Sequence, residues 1–150
     1  MKQIKAIIAV SLDGFIATQD NELDWIPQNV RVLLSKEYEA AHNLLMGANT
    51  YTYIFEHWGG WPYKSKKTFV VSHYDTNVTE KENVTFLTDI PLRAINEFKS
   101  SSETDIQVIG GGKFITSLIE ASLLDEITLY IVPVMLGDGI RFIGKTFGSK

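Results

Sequence analysis

The chain has 150 residues, 45% hydrophobic and 21% charged, with a net charge of −4 and no cysteine. That length holds one core, so one domain over 1–150 is expected. The acidic balance argues against nucleic acid as the main partner, since neutralising phosphates needs a basic face. The lack of cysteine excludes thiol catalysis, thiolate metal sites and disulfides.

Ile4 to Val10 is a continuous apolar run, which predicts a strand buried on both faces in the middle of a sheet. Asp13-Gly14 signals a turn. Asp20 to Asp24 reads as a polar loop, ended by Trp25-Ile26-Pro27. Val30, Leu33, Leu34, Tyr38 and Ala41 then mark one face of a helix. Leu44, Leu45 and Met46 predict a short buried strand that stops at Gly47, followed by a short helix over Asn49–Glu56. Gly59-Gly60-Trp61-Pro62 is a turn-rich loop. Thr68 to Ser72 predicts another buried strand, and Val84 to Leu87 a weaker one. Asp89 looks like a helix cap with Pro91 in the first turn, and Leu92, Ile95 and Phe98 give that helix its apolar face. Lys99 to Thr104 reads as a loop.

Ile106, Val108 and Ile109 read as a buried strand, and Gly110, Gly111 and Gly112 follow it. Phe114, Ile115, Leu118 and Ile119 then recur at helical spacing, to about Ser122. Asp125 to Val134 predicts a long strand, Gly137-Asp138-Gly139 a turn, and Ile140 to Lys150 a short tail. Alternating strands and helices give an α/β class with a largely parallel sheet. No apolar run approaches a membrane span and no cleavage pattern follows Met1, so a soluble cytoplasmic protein without membrane contact is expected.

A strand that passes through glycines into a helix gathers free backbone N–H groups at the positive end of the helix dipole. The run Gly110–Gly112 is therefore either a phosphate cradle or a tight turn, and the residues alone leave both open. It is not a P-loop, because Lys113 is followed by Phe114, and it is not G-x-G-x-x-G, because position 115 is Ile. Asp20, Glu22 and Asp24 alternate like the start of a calcium loop, but Trp25 stands where that loop needs glycine. His42, His57 and His73 are scattered, so no metal site is expected. No serine stands in a nucleophile-elbow pattern. Asp13, Gly47, Ser72 and Gly110 each end or follow a buried strand. If those strands run parallel, their ends line one crevice, where open α/β sheets bind ligands. Tyr53, Trp58, Trp61 and Tyr63 form either a wall over a planar substrate or a satellite apolar cluster under a loop.

Four segments, in order and over nearly the whole chain, resemble the dihydrofolate reductase superfamily. The branch is that of the C-terminal reductase domain of bifunctional riboflavin-biosynthesis proteins. The segments are Ser11-Leu12-Asp13-Gly14-Phe15-Ile16-Ala17, Leu45-Met46-Gly47-Ala48-Asn49-Thr50-Tyr51, Phe69-Val70-Val71-Ser72-His73 and Val108-Ile109-Gly110-Gly111-Gly112-Lys113-Phe114. Leu124-Asp125-Glu126-Ile127 and Pro133 to Gly139 stand behind the last. The resemblance implies a three-layer α/β/α fold with a mostly parallel central sheet and an antiparallel C-terminal strand. It implies NADPH as cofactor and hydride transfer to a small heterocyclic substrate, as in 5-amino-6-(5-phosphoribosylamino)uracil reductase. The alternatives are a dihydrofolate or pterin reductase, or a non-catalytic nucleotide-binding module.

By the same resemblance Ala9, Ser11, Ile16 and Ala17 flank the nicotinamide. Gly47, Asn49 and Thr50 meet the cofactor phosphates, Ser72 and His73 lie near the adenosine, and Gly110, Gly111, Gly112, Lys113 and Phe114 cradle the pyrophosphate. Asp13 either faces the substrate in a catalytic role or fixes the loop beside it. A homodimer is a further implication. Two departures stand out: Val30-Arg31-Val32-Leu33 lacks the acid with which dihydrofolate reductases hold the pterin, and Ala48 stands where relatives often carry arginine.

Overall fold

The computed structural model describes residues 2–20, 22–72, 83–88 and 92–142. The first strand, β1 (Ile4–Ser11), is followed by a short β2 (Phe15–Ala17), helix α1 (Gln28–Ala40), β3 (Asn43–Gly47) and α2 (Ala48–His57). Then come β4 (Lys67–Ser72), β5 (Val84–Thr88), α3 (Leu92–Ser101), β6 (Ile106–Ile109), α4 (Gly112–Glu120), β7 (Glu126–Val132) and β8 (Ile140–Arg141). Six strands form one sheet in the order β5-β4-β3-β6-β1-β7, and every pairing in it is parallel. The expected antiparallel C-terminal strand is β8, which pairs with β2 outside this sheet. Asp89 and Pro91, read as a helix start, lie outside the described residues, as does His73.

The continuous apolar run of β1 has the place that continuity predicts, between β6 and β7. Its side chains alternate between two cores. Ile4, Ala6 and Ile8 pack with Ile95 and Phe98 of α3 and with Ile115 and Leu118 of α4. Ile7 faces the other way, towards Tyr38 of α1 and Ile54 of α2. The helices thus cover both faces, in three layers. Each fully buried aliphatic side chain contributes about 1.5–3 kcal/mol of transfer free energy to this arrangement.

Local chemistry sets the helix ends. Helix α4 stops at Glu120, two residues short of the predicted end, because Ser122 adopts a left-handed backbone at φ 57°. The Leu123 N–H then donates back to the Leu118 carbonyl at 2.9 Å, and both side chains enter the same core. Helix α1 has its last carbonyls capped by Lys66, whose Nζ donates to the Glu39 and Ala41 carbonyls. Sequence reading missed β2, since three residues give no periodicity to read.

The edge of the sheet opposite the strand C-termini is tied by charge. Asp125 Oδ2 accepts from the Ile4 N–H at 2.8 Å and from Lys99 Nζ at 2.7 Å. Asp105 accepts from the Gln3 N–H at 2.9 Å and pairs with Lys5 at 3.1 Å. The Lys99 bond chiefly holds the Asp125 carboxyl below its ordinary range, and the Gln3 N–H does the same for Asp105. Carboxyls depressed in the folded state add stability above the unfolded value near 3.9, and that stability is lost as pH falls through their folded values. Urea titrations at neutral pH and near pH 3 check this. Asp125→Ala is expected to cost roughly 1–2 kcal/mol at neutral pH, and to lose less than wild type on acidification.

Candidate functional site

The parallel pairings bring the C-terminal ends of all six strands to one edge. From β3 the chain runs through α2 outward to β4. From the adjacent β6 it runs through α4 the opposite way, past β1 to β7. The two connections part between β3 and β6, and an open α/β sheet has its ligand crevice at such a point. Since α2 and α4 cover opposite faces, their N-termini meet at the head of that crevice.

The contacts between the two helix starts are short. Thr50 Oγ1 in the first turn of α2 donates to the Gly110 carbonyl at 2.6 Å. A side chain on Gly111, at φ 134°, would lie 3.1 Å from Thr50 Oγ1, and one on Gly47 would lie 3.3 Å from Phe114 Cβ. Neither helix has a side-chain cap or an acidic residue in its first turn. Each therefore presents the equivalent of about half a positive charge. Asn49 and Lys113 are exposed beside them. This is chemistry suited to an anion.

The three glycines divide their work. Gly110 lies under Ile8, whose Cδ1 would be 2.9 Å from an added Cβ. Gly111 supplies the positive φ that turns the strand into the helix. Gly112 is buried, and a Cβ there would collide with the Arg141 carbonyl and come within 2.7 Å of the Phe142 oxygen. The missing side chain of Gly112 thus admits the chain's own backbone.

A notch lies beside the helix starts. Strand β1 pairs with β6 only as far as Ile7 opposite Ile109, then continues along β7 to Ser11 opposite Val132. Its last residues form a wall next to Gly110. Ala9 and Ser11 are buried, as is Ala17, and Ile16 is half-buried. Ser72 is buried at the end of β4.

Asp13 sits at the mouth of the notch and its oxygens are engaged. Oδ1 accepts from the Ser11 hydroxyl at 2.6 Å and from the Leu136 N–H at 3.1 Å, and Oδ2 from the Gly137 N–H at 2.8 Å. The Ser11 hydroxyl chiefly, helped by the two N–H groups, pulls the carboxyl down to about 2. At neutral pH Asp13 is a carboxylate with no proton to give, so of the two roles read for it the geometry favours fixing the loop.

Trp61 and Tyr63 are buried in the core under α1 and α2, where Trp61 lies 4.8 Å from Tyr51, ring to ring. They are a packed cluster, and the reading of a wall over substrate does not apply to them.

Sequence reading also passed over Trp25. It packs with Ala9, Ile26, Val132, Val30, Leu34 and Tyr130 in a small apolar cluster beside the C-terminal half of β1. Its Nε1 is buried and has no hydrogen-bond partner among the described residues. The same holds for Trp61 Nε1 inside the packed core, so an unpartnered indole N–H does not by itself mark a ligand place. The signal was present as the tryptophan that ends the polar loop Asp20 to Asp24. Arg31 holds that loop, donating from Nε to the Ile26 carbonyl at 2.9 Å and from its guanidinium end to the Leu23 carbonyl at 2.7 Å.

A parallel sheet flanked by helices, with two helix starts paired at its switch point, defines an open-sheet α/β fold. The family model described as the RibD C-terminal domain matches residues 2–148, and the chain belongs to that family. YyaP of Bacillus subtilis (strain 168), itself uncharacterised, is 30% identical over 156 residues, covering 93% of this chain and 80% of YyaP. The crystal structure of a Shewanella sp. PV-4 protein ascribed to riboflavin biosynthesis is 28% identical with a TM-score of 0.80, over 98% of this chain and 86% of that one. Dihydrofolate reductase from Enterococcus faecalis, complexed with NADP(H), is 20% identical with a TM-score of 0.71, over 97% and 79%. At that identity the likeness concerns the fold.

Gly112→Ala forces the Arg141–Phe142 backbone away from α4 and is expected to cost roughly 1–3 kcal/mol. Thermal or urea unfolding reads this directly, and a variant as stable as wild type would show that the close approach is not required.

Proposed function

We propose that this chain is an NADPH-dependent reductase that delivers hydride to a small heterocyclic substrate, in the manner of 5-amino-6-(5-phosphoribosylamino)uracil reductase. The observation that carries the reading is the meeting of two uncapped, acid-free helix N-termini, α2 and α4, at the switch point of a RibD-family sheet. These residues fit a pyrophosphate by charge and by backbone access. Gly47, Asn49 and Thr50 on one side and Gly110, Gly111, Lys113 and Phe114 on the other would hold it, with Gly112 contributing its N–H alone because the Arg141–Phe142 backbone fills its open side. Ser72 would stand towards the adenosine.

The cofactor, when bound, supplies the hydride. The chain's own part is to position and to exclude water. Ala9, Ser11, Ile16 and Ala17 form the wall for the nicotinamide. The Ser11 hydroxyl donates to Asp13 and accepts from the Phe15 N–H at 2.9 Å, so it is a fixed surface of that wall. The small apolar cluster of Ala9, Trp25 and Val132 backs that wall. Dihydrofolate fits less well. No acid stands on the first turns of α1 to hold a pterin, and Arg31 there is engaged with the loop.

Titration of the protein with NADPH, followed by nicotinamide fluorescence, is expected to saturate. Absorbance at the reduced-nicotinamide band is expected to fall with the ribosylaminouracil substrate and to hold steady with dihydrofolate. Failure to bind NADPH would refute the cofactor. Binding without turnover of either substrate would favour the non-catalytic module, and turnover of dihydrofolate would reverse the substrate assignment.

A further inference from the structure

We propose that Asp13 is a positioning residue: its carboxylate latches the segment after β7 to the β1–β2 turn and thereby holds β2 in place as a wall of the notch. The inference rests on the cofactor reading above only for what β2 faces.

The latch has donors from both sides. From its own turn comes the Ser11 hydroxyl, whose oxygen in turn accepts the N–H of Phe15, the first residue of β2. From the segment after β7 come the N–H groups of Leu136 and Gly137. One ionised group thus joins the start of β2 to the chain that leads into β8. Charge-assisted bonds of this kind are stronger than neutral ones.

Strands β2 and β8 need such help. Among the described residues they pair at Phe15 opposite Arg141 and Ala17 opposite Ile140, with a register shift between. An isolated pair this short is not stable in water. Upstream of the latch the Leu12 N–H donates to the Val134 carbonyl at 2.9 Å, so Asp13 extends a backbone tie towards β2; the other contacts lie downstream. Gly139, at φ 144°, lies so close to the Ala17 carbonyl that a side chain would collide with it. The Phe142 N–H donates to the Gly14 carbonyl at 2.9 Å, and the Arg141 guanidinium lies 5.2 Å from the centre of the Phe15 ring. The same stretch then abuts Gly112 at the start of α4. Helix α2 and the Thr50 bond take no part in this chain of contacts.

Release of the latch should therefore loosen the β2 wall more than the phosphate end. Asp13→Asn keeps the shape but replaces one acceptor oxygen with a donor. Three readouts apply: hydrogen exchange of the protein without cofactor, and binding of NADPH and of adenosine 2′,5′-bisphosphate, a fragment with no nicotinamide. We expect the Leu136 and Gly137 amides to exchange faster while those of α3 do not. NADPH should weaken by roughly tenfold and the fragment by less than about twofold. Ser11→Ala removes the bridge from the other side and should give the same pattern if the first variant does not fold. Unchanged exchange at Leu136 and Gly137 would refute the latch. Equal weakening of both ligands would refute positioning, since it marks general loosening. A wild-type protein that binds no NADPH would overturn the cofactor reading and the positioning role with it, and the exchange data would still decide the latch.

Discussion

Two adjacent strands, β3 and β6, send their chains off in opposite directions, and the helices that follow begin side by side with their positive ends together. Like partial charges at close range repel, so this juncture has a cost. The structure offsets it locally. Thr50 bonds across to the Gly110 carbonyl, and glycines at 47 and 111 let the two turns interlock without side chains between them. A bound anion would relieve the remaining repulsion.

The rest of the crevice follows from strand lengths. Because β6 ends at Ile109 while β1 continues to Ser11, the sheet edge has a step. The step gives the notch one wall from β1, and the turn at Asp13-Gly14 brings β2 beside it. The segment after β7 closes the arrangement by crossing back over β2 and reaching α4 at Gly112. The glycine run is thus both a helix start facing outward and a seat for the chain's own backbone.

Much of this could be read from residues. The continuous apolar run Ile4–Val10 announced a central strand, and the halts at Gly47 and Gly110 announced two strand ends that the parallel pairings bring to one edge. What could not be read depends on contacts distant in sequence. Strand β2 exists because Gly139 and Arg141 lie against it, more than a hundred residues away. The role of Asp13 depends on N–H groups at 136 and 137. The seat at Gly112 depends on the Arg141 carbonyl, far along the chain. The buried donor of Trp25 depends on packing against Ala9 and Val132, which no local pattern encodes.

On the proposed reading, the starts of α2 and α4 together would hold the phosphates of a reduced nicotinamide dinucleotide. Amide chemical shifts during an NADPH titration test it most directly. Saturable shifts of the Ala48, Asn49, Gly111, Lys113 and Phe114 N–H signals are expected, with those on the outer face of α3 unmoved. Binding that shifts other amides and leaves both helix starts unchanged would contradict it.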